Sequence, residues 1–197
     1  PGQSAEVYYI SWRQPVPLGE VASQTFFLNR DNLSGDRMDE VQIVPPVPEN
    51  GFIVYPTGLT WNSATDSFFY LERNSKTFIE ITPGGTELRR FDHPDPPFQN
   101  FVFALGVSVV PERNSLFYTT ASRYDHRVTW VREMTLDGVP TGVEIPLEGL
   151  PNEVTGISVH GSDLVAVGTK RFAELLKLKA FEELPPPFVR GDTDASG

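Results

Sequence analysis

The chain has 197 residues, 39% of them apolar, which is enough for one domain with a substantial core. A formal charge of −10 removes the basic surface that sequence-independent nucleic-acid binding requires, and the count of 0 cysteines excludes disulfides, thiol nucleophiles and cysteine-ligated zinc. The apolar runs are only a few residues long, so no stretch can insert in a membrane as a helix, and 18 prolines with 16 glycines predict many short strands joined by turns.

The chain opens on Pro1 with no basic start followed by an apolar run, so a signal peptide is expected to lie outside it. Val7–Trp12, Thr25–Leu28 and Val41–Val44 read as strands. Then a pattern recurs: Gly58-Leu59-Thr60-Trp61, Gly106-Val107-Ser108-Val109 and Gly156-Ile157-Ser158-Val159 each give a glycine, an apolar residue, a hydroxyl residue and an apolar residue. The glycines stand 48 (58 to 106) and 50 (106 to 156) residues apart, close to the repeat of about 40–50 residues that makes one blade of a β-propeller.

In the first full unit Gly58–Trp61 is an inner strand, Asn62–Ser67 a turn of residues that bond their own backbone, and Phe68–Leu71 a second strand. Thr77–Ile81 follows, and Pro83-Gly84-Gly85 turns the chain into Glu87–Phe91. The next unit repeats this with Leu105–Val110, Leu116–Thr120, Val128–Met134 and Val143–Leu147. The last has Val154–Val159, Leu164–Val167 and Leu175–Leu178, and its fourth strand is interrupted by Glu182-Glu183 and Pro185-Pro186-Pro187. Read backwards, Val41–Val44 is the outer strand of an earlier unit whose innermost strand is expected ahead of Pro1. The prediction is an all-β chain: a partial β-propeller of three to four four-stranded blades, an open arc from a larger propeller, with blades at about 1–45, 56–92, 105–148 and 154–181. The competing reading is a sandwich with ordinary strand-entry glycines.

The run Gly58–Tyr70 followed by Phe78-Ile79-Glu80-Ile81-Thr82-Pro83-Gly84-Gly85 resembles blades of the bacterial propeller group that includes NHL-repeat and gluconolactonase-like proteins. The resemblance covers about residues 56–180 and implies a fold. Functions in that group run from ligand binding to hydrolysis.

Beyond Phe181 a proline-rich linker, 182–187, leads to Phe188-Val189-Arg190-Gly191-Asp192-Thr193-Asp194-Ala195-Ser196-Gly197. Asp192, Asp194, Ser196 and Gly197 match positions 1, 3, 5 and 6 of a calcium loop, in which alternating oxygens coordinate the ion and glycine permits the turn. Residues 188–197 resemble the entrance to a dockerin-type calcium module, which implies a secreted bacterial protein. Calcium is the one cofactor implied, and only for a complete module.

In a propeller, loops from outer to next inner strands share one face with loops from second to third strands. That face is expected to gather Asp92, His93 and Asp95 with Arg123, Tyr124, Asp125, His126, Lys170 and Arg171, a surface for a protein or glycan partner. Asp92, His93, Asp95, Asp125 and His126 also carry the ligand types with which a lactonase-type metal site polarises a carbonyl. The group's inner-strand acid ligands have no clear counterpart here. Nor does the chain hold a Gly-x-Ser-x-Gly elbow, a phosphate loop or a His-Glu-x-x-His helix. Thr60, Ser108 and Ser158 read as parts of the repeat's hydrogen bonding, and Trp12, Trp61 and Trp130 as packing residues before sugar-stacking ones. The sequence therefore reads as a non-catalytic binding region, with a metal-dependent hydrolase completed by other blades, or a structural spacer, as the alternatives.

Overall fold

A computed structural model describes residues 5–13, 25–43, 56–72, 77–92, 102–103, 106–122, 129–146, 154–160, 163–170 and 174–181. Within them the chain is all β, apart from one 3-10 turn at Pro111–Arg113. The strands are β1 (Glu6–Arg13), β2 (Thr25–Asn32), β3 (Arg37–Ile43), β4 (Pro56–Asn62), β5 (Ser67–Glu72), β6 (Thr77–Ile81) and β7 (Glu87–Asp92). They continue with β8 (Val102–Phe103), β9 (Val107–Val110), β10 (Ser115–Ser122), β11 (Thr129–Thr135), β12 (Pro140–Pro146), β13 (Val154–His160), β14 (Asp163–Lys170) and β15 (Glu174–Phe181).

Each neighbouring pair is antiparallel, and the strands form four sheets in chain order: β1-β2-β3, β4-β5-β6-β7, a third in which β8 and β9 both pair with β10 ahead of β11 and β12, and β13-β14-β15. The sheets stack face to face as an arc of blades, a partial β-propeller. In the second sheet one face, Phe68, Tyr70, Ile79 and Ile81, packs on Phe26, Leu28 and Ile43 of the first. The other face, Phe69, Leu71 and Phe78, packs on Val107, Val109, Leu116, Tyr118 and Met134 of the third. Burial on both faces explains why β5 and β6 are buried at every position, whereas the outer β7 alternates. Stacking is what makes one such sheet stable, since alone it would leave an apolar face in water.

The outer hairpins share one construction. The amides of Gly35, Gly85 and Gly138 bond Asn32, Thr82 and Thr135 carbonyls, and all three glycines have φ near +80°, which side chains rarely adopt. A Cβ on Gly85 would lie 2.6 Å from Val41 of β3, and one on Gly138 would lie 2.9 Å from Phe91 of β7. The hairpin glycine of one sheet is thus pressed onto the outer strand of the sheet before it.

The inner strands are joined by hydroxyls. Thr60 Oγ1 accepts a hydrogen bond from the Val109 amide at 3.0 Å, and Ser108 Oγ accepts one from the Val159 amide at 3.1 Å. The recurring hydroxyls of β4 and β9 therefore each hold the next inner strand, as the sequence reading expects for Thr60 and Ser108. Of the predicted strand Leu105–Val110, β9 holds Val107–Val110, Gly106 stands just ahead of it and Leu105 lies outside the described residues, while β8 is an additional short strand. Gly106 faces the backbone of Gly156 and Ile157 so closely that a Cβ would approach within 2.9 Å, and its own amide is taken by Thr119 Oγ1. Several strands also run longer than expected, as when β15 spans Glu174–Phe181 instead of Leu175–Leu178.

Candidate functional site

Two residues of the expected binding face are described, and both stand at the same end of their sheets. Of its residues, Asp92 closes β7 and is exposed, while Lys170 closes β14. His93, Asp95, Arg123, Tyr124, Asp125, His126 and Arg171 lie outside the described residues, as do the linker 182–187 and the predicted calcium ligands Asp192, Asp194 and Ser196. Among the described residues no group of three or more His, Asp or Glu could hold a metal, and no helix is long and apolar enough to cross a membrane. Trp61 packs between two sheets, its ring 4.7 Å from Phe68 and 6.5 Å from Tyr8, and remains 40% exposed.

The opposite end, where the hairpins turn, holds two buried carboxylates that the sequence reading missed. Glu80 on β6 accepts from Ser67 Oγ, from Arg89 Nε on β7 and, at 3.2 Å, from Thr65 Oγ1. Glu133 on β11 accepts from Ser115 Oγ at 2.6 Å, Arg113 Nε at 3.0 Å and Thr141 Oγ1 at 3.0 Å. Glu80 stands opposite Phe69 and Glu133 opposite Phe117, so the two occupy one position of the repeat. The available signal was the recurrence of a serine two residues ahead of a phenylalanine, at Ser67-Phe68-Phe69 and Ser115-Leu116-Phe117.

A guanidinium and hydroxyl donors bond each carboxylate, which offsets the cost of taking its charge out of water and fixes it in place. In the second sheet the arginine comes from the outer strand: Arg89 also lies over the Phe69 ring and reaches Asp137 of the third sheet at 3.1 Å. In the third sheet it comes from the 3-10 turn. Arg113 lies over the Phe117 ring, and the shorter Thr141 faces Glu133 from the outer strand.

Beside this last group lies a cavity of about 210 Å3 lined by Arg113, Asn114, Ser115, Thr135, Asp137, Val139 and Thr141. It has no aromatic wall, and its hydroxyls already bond within the sheet: Thr135 Oγ1 accepts from the Val139 amide, Thr141 Oγ1 from the Val143 amide. The first sheet has a smaller counterpart of about 30 Å3, lined in part by Tyr8, Arg30 and Asp39, with Arg30 Nε buried and without a hydrogen-bond partner among the described residues. That volume suits a single water. On β5 of the second sheet, burial first and then the nearby Glu87 push the Tyr70 hydroxyl above the ordinary tyrosine range.

No family model and no curated protein matches the chain. Solved structures similar to it include a nidogen/laminin complex, 15% identical with a TM-score of 0.47, covering 73% of this chain and 51% of that one. A luciferin-regenerating enzyme is 12% identical with a TM-score of 0.45, covering 73% of this chain and 44% of that one. A protein from Lactobacillus plantarum is 10% identical with a TM-score of 0.45, covering 92% and 57%. The chain thus spans about half the length of the solved chains it resembles.

Proposed function

We propose that the chain is a non-catalytic propeller region of a secreted bacterial multidomain protein, holding a protein or glycan partner through loops at the Asp92 end of its sheets. The observation that supports this reading is the fate of the polar groups on the strands. Thr60 and Ser108 bond the amides of the next sheet, and Glu80 and Glu133 are each taken up by a serine and an arginine of their own sheet. Strand chemistry is spent on joining and stiffening the blades. Recognition then falls to the loops, whose sequence can vary without disturbing the stack. On this reading Asp92, His93, Asp95, Arg123, Tyr124, Asp125, His126, Lys170 and Arg171 form the partner-binding rim. Asp192, Asp194 and Ser196 belong to a calcium-dependent module attached beyond the linker.

The test is a glycan array and a pull-down on the full-length protein, repeated with Arg123→Ala, Tyr124→Ala and His126→Ala combined. Retained folding with binding at least 10-fold weaker is the expected result. One tightly held divalent ion, with lactone hydrolysis lost in Asp92→Ala or Asp125→Ala, would overturn it in favour of a hydrolase. A melting temperature indifferent to calcium in a protein extending past Gly197 would remove the calcium module.

A further inference from the structure

We propose that the cavity beside Arg113 seats the chain's own acidic, proline-rich segment 182–187, with a carboxylate of Glu182 or Glu183 on the Arg113 guanidinium, so that the stretch after the last strand is docked on the third sheet. The inference does not depend on what the loops bind. Its basis is an arrangement that the molecule builds twice. Arg89 and Arg113 each hold the equivalent buried carboxylate, Glu80 or Glu133, and each lies 5.5 Å over the equivalent phenylalanine ring, Phe69 or Phe117. Arg89 also carries a second carboxylate, that of Asp137, which comes from the outer hairpin of the following sheet and is itself 77% exposed. Beside Arg113 the same face borders the cavity of about 210 Å3.

Backbone register brings the acidic segment to this place. Val159 pairs with Leu164 as Val109 pairs with Leu116, and Leu164 pairs with Phe181 as Leu116 pairs with Met134. Phe181 therefore stands at the position of Met134, and Glu182-Glu183-Leu184-Pro185 follow where the third sheet has Thr135-Leu136-Asp137-Gly138. The hairpin itself cannot be repeated. Gly138 donates its amide to the Thr135 carbonyl at a φ of 82°, whereas Pro185 has no amide and a ring that holds φ at about −65°. The segment thus enters at the place of the Asp137 hairpin, carries two carboxylates, and is barred from making the turn. Asp137 lines the same cavity, but Arg89 already answers its charge. A second copy would have to bring its acid against the repulsion between two chains of −10 each, while Glu182 follows directly on β15 and is present at the high effective concentration of a tethered group.

A chain with 0 cysteines suits a disulfide test. Val139→Cys, on the cavity wall and 41% exposed, is combined with Leu184→Cys in the full-length protein, and Leu33→Cys with Leu184→Cys is the control, at a turn position 72% exposed. Oxidation of mixed isotope-labelled and unlabelled protein, read by peptide mass spectrometry, should join 139 to 184 within one chain about 10-fold faster than 33 to 184. Equal rates, or a disulfide only between labelled and unlabelled chains, would overturn the docking. Glu182→Gln combined with Glu183→Gln, with no cysteine introduced, should lower the melting temperature by about 3 °C, and an unchanged value would overturn the carboxylate contact. The glutamine pair decides alone if Val139→Cys does not fold.

Discussion

The first and second sheets follow one register and carry opposite chemistry on it. Arg30 faces Asp39 across β2 and β3 where Glu80 faces Arg89 across β6 and β7, and Glu6, 4.0 Å from Arg30, holds the place of Ser67. The faces differ as well. Asn29 and Asp31 occupy the positions of Ile79 and Ile81, since Tyr9 pairs with Asn29 as Tyr70 pairs with Ile79. Around them Arg37 bonds Asp31 and Asn29 at 2.6 Å, Glu40 at 2.8 Å and the Tyr9 hydroxyl at 2.6 Å. Backbone geometry is thus indifferent to which groups it carries. Asn29 is as fully buried as Ile79, and the neighbours decide which of the two suits the position: Ser11 and Arg37 for the amide, Phe26, Leu28 and Ile43 for the isoleucine.

The comparison breaks hardest by exchanging residues at one position. Ile79→Asn removes a fully buried aliphatic side chain and leaves an amide between two apolar faces, so a loss of about 4 kcal/mol is expected, from the core-truncation and unpaired-polar terms together. Asn29→Ile loses the bonds to Ser11 Oγ, to the Tyr9 and Phe27 carbonyls and to Arg37, yet Arg37 keeps Asp31 and Glu40, and the cost should be about 2 kcal/mol. Urea unfolding of both variants measures the difference. Equal losses would mean that the polar network of the first sheet is worth as much to stability as the apolar contact of the second.

Charge gives the next effect. Glu80→Gln removes the negative charge beside Arg89 in a site 3% exposed and should cost about 2 kcal/mol. Asp39→Asn, at the exposed partner position of the first sheet, should change stability by less than about 0.5 kcal/mol. A loss on Asp39→Asn as large as on Glu80→Gln would show that the first-sheet pair is buried too.

The same contrast explains what was legible beforehand. Gly58, Gly106 and Gly156 announced the repeat because each lies at the start of an inner strand or at a register shift near it, and at Gly106, pressed against Gly156 and Ile157, there is no room for a side chain. Spacing alone then located the sheets and gave the hydroxyls of Thr60 and Ser108 their role. Glu80 was not legible as a buried group. In Phe78-Ile79-Glu80-Ile81 it reads as the polar half of an alternating strand, and its burial follows only once Arg89 and Ser67 arrive from two other strands. The proposed partner-binding rim follows from topology, and Asp92 and Lys170 are its members within the described residues. Loop residues carry no periodicity from which a side-chain arrangement could be read.

The smallest expected effect is in alkaline stability. Tyr70 sits between two sheets and its hydroxyl is raised, by burial first, so the folded protein keeps a proton that the unfolded chain gives up near pH 10. The linkage has a definite sign: the contribution is whole below the unfolded value and is lost as pH climbs from there toward the folded one. Tyr8 of the first sheet is raised as well, by burial and by its hydrogen bond to Glu6, but Arg30 pulls it back, and the ring is only half-buried. Tyr70→Phe should therefore flatten the fall in melting temperature above about pH 10, and Tyr8→Phe should flatten it less. An unchanged alkaline limb in Tyr70→Phe would mean that this hydroxyl reaches solvent, and with it that the first and second sheets part more readily than their shared apolar face implies.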